Sequence, residues 1–122
     1  MNKLVLVVCA AIGLAGCGGI SPVTFCNNYE VEVCARVFEC YDPQTQASAQ
    51  FIATYGASQA ECDSKLKSNN CATVTNDHPC TDSTVHYHSD KADACISDLK
   101  AASCPTIIGG SFTSGNCDNI CS

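Results

Sequence analysis

The sequence predicts an all-α domain, a small disulfide-rich bundle of about four short helices with irregular loops and tail. Three observations lead there. Apolar residues recur at helical spacing between recognisable caps. Only one short stretch reads as extended. Ten cysteines, from Cys26 to Cys121, are spread through a chain that is poor in large aliphatic side chains.

The elements follow in order. Ser21 and Pro22 open the first helix, with proline at the first helical position, where its missing N–H costs nothing. Phe25, Tyr29, Val33, Val37 and Cys40 then recur at spacings of 4, 4, 4 and 3. They mark one apolar face, with Glu30, Glu32, Arg36 and Glu39 mostly off it. Asp42 and Pro43 should end that helix. The second, Ala- and Gln-rich, runs from Gln44 to Tyr55, and Gly56 is a suitable C-terminal stop. Ser58 with Glu61 forms a capping box for the third helix, which is expected to break at Asn69 and Asn70.

The stretch from Cys71 to His88 is rich in Thr, Asn and Asp and reads as loop, with a short extended piece at Val85–His88. Ser89 should cap the fourth helix, running to about Ala102 and closed by Pro105. From Thr106 to Ser122 the tail should be irregular, pinned by Cys117 and Cys121.

Cys62–Cys71 and Cys95–Cys104 share the pattern C-x-S-x-L-K-x-x-x-C, offset by 33 residues. Within each copy the first Cys and the Leu lie four apart, on one helix face. Nine helical residues span about 13 Å, far beyond the roughly 5.5 Å between the Cα atoms of a disulfide. The two cysteines of a copy should therefore bond elsewhere, with Cys26, Cys34 and Cys40 on the first helix as available partners.

The N-terminus assigns the compartment. Lys3 gives a short positive n-region, and residues 4–13 carry no polar side chain apart from the thiol of Cys9. Such a run reads as a secretory signal and is too short to span a bilayer, which takes roughly 20 apolar residues. It ends in Leu14, Ala15, Gly16 and Cys17, which resembles the bacterial lipobox, where the cysteine takes a diacylglyceryl group and a peptidase cuts just before it. Small residues at 15 and 16 admit the peptidase, and a thiol is the side chain that can form the thioether. The expected organisation is a signal peptide over 1–16, a lipidated tether over 17–22 and a cysteine-rich helical domain over 23–122.

Each buried methylene contributes about 0.8 kcal/mol to membrane attachment, and two or more acyl chains hold a protein stably. Gly18, in place of an inner-membrane-retaining Asp, favours the outer membrane over the inner. Localisation is therefore expected at the cell envelope, with the membrane engaged through the lipid.

After cleavage 122 − 16 = 106 residues remain, one domain's worth. Losing Lys3 leaves five basic residues against twelve acidic ones, a formal balance of 5 − 12 = −7. So acidic a domain has no electrostatic footprint for nucleic acid. Leu, Ile, Val and Phe make up 18 of the 106 residues, a fraction that by itself points toward disorder. Cysteine reverses that reading. Cys26, Cys34, Cys40, Cys62, Cys71, Cys80, Cys95, Cys104, Cys117 and Cys121 are an even set in an exported chain and imply five disulfides. At roughly 2–4 kcal/mol each they offset a thin core.

The lipobox, an early cysteine-bearing helix and the later helix Ala92, Asp93, Ala94, Cys95, Leu99, Cys104 together resemble small cysteine-rich lipoproteins of myxobacteria and related predatory or soil bacteria. The likeness covers most of the mature chain and rests on cysteine spacing. It implies an envelope lipoprotein and supplies no catalytic residue.

Several motifs are missing from the sequence. There is no Cys-x-x-Cys of a redox or zinc-ribbon kind, no G-x-S-x-G elbow and no phosphate-binding glycine loop. The chain has no Trp to stack on a sugar. No nucleophile, base or cofactor site is assembled, so the expected role is non-enzymatic, without a cofactor. An envelope protein or a cell-wall polymer is the expected partner.

The alternative is metal binding. His86 and His88 in an extended segment would face the same side, and His78 or Asp90 could complete a zinc or copper site. Ile107, Ile108 and Phe112 in the tail are either an exposed apolar patch or a cap on the small core.

Overall fold

The computed structural model describes residues 19–122. Residues 1–18, and with them the expected signal peptide and the expected lipidation site Cys17, lie outside the described residues. Among the described residues there are seven helical segments and no strand: α1 (Pro22–Cys40), α2 (Pro43–Gln46), α3 (Ala49–Tyr55), α4 (Gln59–Asn70), α5 (Ser89–Ala101), α6 (Cys104–Ile108) and α7 (Gly115–Asp118). The all-α, disulfide-rich class is the one the sequence predicts. The four longest segments correspond to its four helices.

Helix α1 starts as expected. The Ser21 hydroxyl accepts from the Thr24 N–H at 3.3 Å and Pro22 occupies the first turn. This helix is the centre of the molecule, packed against α4, α5 and α6. Centrality corrects the single-face reading. Glu30, Cys34 and Arg36 are buried beside Val37, because α1 is covered by more than one helix: Glu30 and Cys34 meet α4. Arg36 reaches across to donate to the Ala102 carbonyl at the end of α5 and to Glu39.

The expected second helix is split. Asp42 ends α1 and also caps α2, accepting from the Gln44 and Thr45 N–H groups at 3.0 Å each. A break follows at Ala47 and Ser48, where the Ser48 hydroxyl accepts from the Phe51 N–H at 3.2 Å. A short hydroxyl side chain bonding nearby backbone competes with helix continuation, and here it restarts the helix as α3. Gly56 ends α3 at φ +90°, and a Cβ there would lie 2.7 Å from Glu61 Cβ. Only glycine fits that backbone against α4.

Half of the expected capping box of α4 forms, Ser58 accepting from the Glu61 N–H at 3.2 Å, while the Glu61 carboxylate reaches one residue further back and accepts from the Ala57 N–H at 2.8 Å. This helix is polar nearly all round, and Cys62 is its one buried residue. Such a helix has little apolar surface to hold it in place. Two disulfides do so, Cys34–Cys62 and Cys26–Cys71.

Helix α5 buries Ala92, Cys95 and Leu99, one stripe at helical spacing. Its N-cap is His88, one residue before the expected Ser89, because the His88 N–H is held by the Ile120 carbonyl at 2.7 Å. The extended piece exists: His86 and Ser122 exchange backbone bonds at 3.0 and 3.1 Å, and Tyr87 bridges Cys121 antiparallel. Pro105 starts α6 instead of closing α5. The tail is correspondingly less irregular than expected. Beyond α6, Ser114 caps α7 by accepting from the Asn116 and Cys117 N–H groups at 3.1 and 3.3 Å.

The ten cysteines from Cys26 to Cys121 form five disulfides: Cys26–Cys71, Cys34–Cys62, Cys40–Cys104, Cys80–Cys121 and Cys95–Cys117. Neither copy of the repeated motif closes on itself. Three of its four cysteines bond α1, and Cys95 bonds Cys117 instead. The core is correspondingly small. Ala92, Cys95 and Ile120 sit under Phe25, Tyr29 and Tyr87 at one end. At the other, Phe51 packs edge-on to Phe38 and Tyr41 at ring separations of 5.3 and 5.4 Å.

Candidate functional site

The histidine set is dispersed. His78 and His86 are exposed, His78 on the loop before Cys80 and His86 in the extended piece. His88 is half-buried, with Nε2 3.3 Å from the Ser122 carbonyl, and Asp90 is exposed in the first turn of α5. Tyr87 between the histidines turns inward onto the core, so the alternation expected of an extended segment is present. No three of His78, His86, His88 and Asp90 bring ligand atoms within 4.8 Å of one another. The structure does not gather the expected metal set.

A cleft lies over the same loop, a hollow of about 630 Å³ bordered by Asp77, His78, Thr81 and Asp82. Asp82 is committed locally, accepting from the Thr84 N–H at 2.8 Å and its hydroxyl at 2.7 Å. Those bonds hold its carboxyl below the usual range. A second cleft, of about 260 Å³, is apolar and lies between Phe25, Val74, Tyr87 and Ile120. Within the tail, Ile107 and Phe112 line a small cleft of about 160 Å³ with Val37 and Leu99, capping the core, while Ile108 stays exposed at 47 %.

Among the described residues, one group of three brings ligand atoms within 4.8 Å of one another: Cys26, Glu30 and Cys71. Sequence reading placed Glu30 off the buried face. It is 6 % exposed, one turn from Cys26 and one turn from Cys34, so all three share a face of α1 that α4 covers. The four-residue spacing of Cys26, Glu30 and Cys34 was the available signal. Asn70, next to Cys71 at the end of α4, donates to Glu30 Oε1 at 2.8 Å. Burial pushes the Glu30 carboxyl up, and the Asn70 bond opposes this. The adjacent Tyr29 hydroxyl is also raised, by burial and then by the Glu30 charge. As the structure stands the two sulfurs are bonded to each other, so the group is a disulfide with a buried carboxyl beside it.

No family model, curated protein or solved structure matches this chain.

Proposed function

We propose that the chain is an envelope lipoprotein, held to the membrane by acyl groups on Cys17 and presenting a rigid, acidic, non-enzymatic module to a protein or cell-wall polymer. The supporting observation is the cysteine balance. Every described cysteine is bonded to another described cysteine, which leaves none of them to pair with Cys17. Five bridges require an oxidising compartment, which suits export by the N-terminal signal.

No described helix is long and apolar enough to cross a membrane, so on this reading attachment falls to the lipid. Gly19 and Ile20 are packed on the domain. Gly19 lies so close to Ser89 that a Cβ would come within 2.4 Å, and Ile20 lies against the core. The tether is then shorter than six residues, and the domain would ride close to the bilayer.

The test is the intact mass of the protein extracted from membranes, with and without reduction. A chain beginning at Cys17 with added acyl groups, gaining ten hydrogens on reduction, supports the proposal. An unacylated chain, or one that still carries residues 1–16, refutes the anchor.

A further inference from the structure

We propose that Cys26, Cys71 and Glu30 form a zinc site that becomes competent when the Cys26–Cys71 bond is reduced. The proposal does not depend on the lipid anchor. It rests on three sets of facts about the site.

The first is the donor set. Two thiolates and a carboxylate are zinc ligands, and tetrahedral zinc places such ligand atoms roughly 3.5–3.8 Å apart, from bonds of about 2.3 Å to sulfur and 2.0–2.2 Å to oxygen. All three ligand atoms here lie within 4.8 Å of one another. Cys26 and Glu30 are one turn apart on α1, and Cys71 stands across from them with Cα atoms of 26 and 71 separated by 5.8 Å. The two sulfurs are bonded to each other in the structure, so on reduction the two cysteine side chains rotate apart to admit the ion. Water supplies the fourth ligand.

The second is orientation. A ligating carboxylate is normally held by an outer hydrogen bond, and the Asn70 amide already provides one at 2.8 Å. The third is that opening this bond does not dismantle the fold. Cys34–Cys62, both residues at 0 % exposure, ties α1 to α4 two turns further along. Helix α4 therefore keeps its place when Cys71 is released, and the three donors stay together.

The chemistry balances with a dithiol as reductant. Its two thiols become a disulfide, the Cys26–Cys71 bond takes up two electrons and two protons, and two cysteine thiols form. Zinc then displaces both thiol protons to solvent and is held by two sulfurs and the Glu30 oxygen.

The experiment uses the protein purified from cells, reduced with dithiothreitol, desalted without oxygen and titrated with cobalt and then zinc. One metal per chain with the intense sulfur-to-cobalt absorption is expected, with helical circular dichroism retained. The double variant Cys80→Ser/Cys121→Ser should bind equally well, and Cys26→Ser/Cys71→Ser should lose the site. Asn70→Ala should weaken affinity 10- to 100-fold, and Glu30→Gln at least as much. Equal binding by the Cys26→Ser/Cys71→Ser variant, unchanged affinity in Glu30→Gln, or no zinc bound to the reduced chain would each overturn the proposal.

Discussion

The hydroxyl of Tyr87 donates a 3.0 Å hydrogen bond to the carbonyl of Ile20, joining the chain just before α1 to the extended segment just before α5. Burial, and then the charge of Asp93, push this hydroxyl up to about 12 from an ordinary value of 10.0. A raised value means that the neutral phenol is the form the fold prefers. Its contribution is complete below pH 10 and is lost as pH rises from 10 toward 12. Tyr87→Phe should cost about 1 kcal/mol, a fall in Tm of roughly 4–8 °C in a domain of this size. Thermal unfolding at pH 7 measures it. An unchanged Tm would mean that Ile20 is held by its apolar contacts alone.

Glu30 should make the domain less stable at neutral pH than a neutral residue would. Its folded pKa is raised by burial, so the folded state holds its proton above the range where the unfolded chain has released it. The Glu30 contribution therefore falls as pH rises from its ordinary value of 4.5 through the raised one. Glu30→Gln keeps an oxygen for Asn70 and removes the charge. Urea unfolding should show the variant more stable than the parent at pH 7, with the gap closing near pH 4. A gap of the same size at both pH values would contradict the assignment.

Asp98 behaves in the opposite sense. It accepts from the Ser114 hydroxyl and from Asn116 Nδ2, the latter at 2.9 Å, and these bonds hold its carboxyl below the usual range, the Ser114 bond most strongly. A depressed folded value gives stability that is present above the ordinary value of 3.8 and lost as pH falls through the folded one. Asp98→Asn should flatten the acid limb of stability below pH 4. Ser114→Ala removes the cap of α7 as well as this bond, and should cost about 1–2 kcal/mol at pH 7.

Removing Cys34–Cys62 should cost more than removing Cys80–Cys121. Loop closure alone points the other way: separations of 28 and 41 residues correspond to about 3.6 and 3.9 kcal/mol. Burial reverses the order. Cys34 and Cys62 are at 0 % exposure, whereas Cys121 is exposed. Alanine at both buried positions leaves a void whose cost exceeds the few tenths separating the loop terms. Denaturant midpoints of the two double-alanine variants decide it.

The caps were legible in the sequence because they are local. Ser21–Pro22 and Ser58–Glu61 each close hydrogen bonds within four residues and do so in the fold, whereas Asp42–Pro43, read only as the end of α1, also opens α2. Pro105 reads as a helix end but falls in the first turn of α6, because proline suits both places, and the second helix is split at a residue the reading passes over, Ser48, whose hydroxyl caps α3 locally. Glu30 and Arg36 were misplaced for another reason. An amphipathic pattern identifies a face only when one face is covered, and α1 is covered on several. The histidines share one stretch of sequence, but nothing folds His78 back onto His86 and His88.

By itself the sequence determined the helical class, the positions of the principal caps, the dependence on disulfides and the rule that neither repeat copy closes on itself. These follow from spacing and from the reach of a helix, which any folded arrangement must respect. The tertiary structure decided the pairing of the ten cysteines, the burial of Glu30 beside Cys26 and Cys71, and the dispersal of the histidines. Those depend on which helices meet. In a chain with so little aliphatic surface, the meeting of α1 with α4 is fixed by the bridges themselves rather than by a pattern written along either helix.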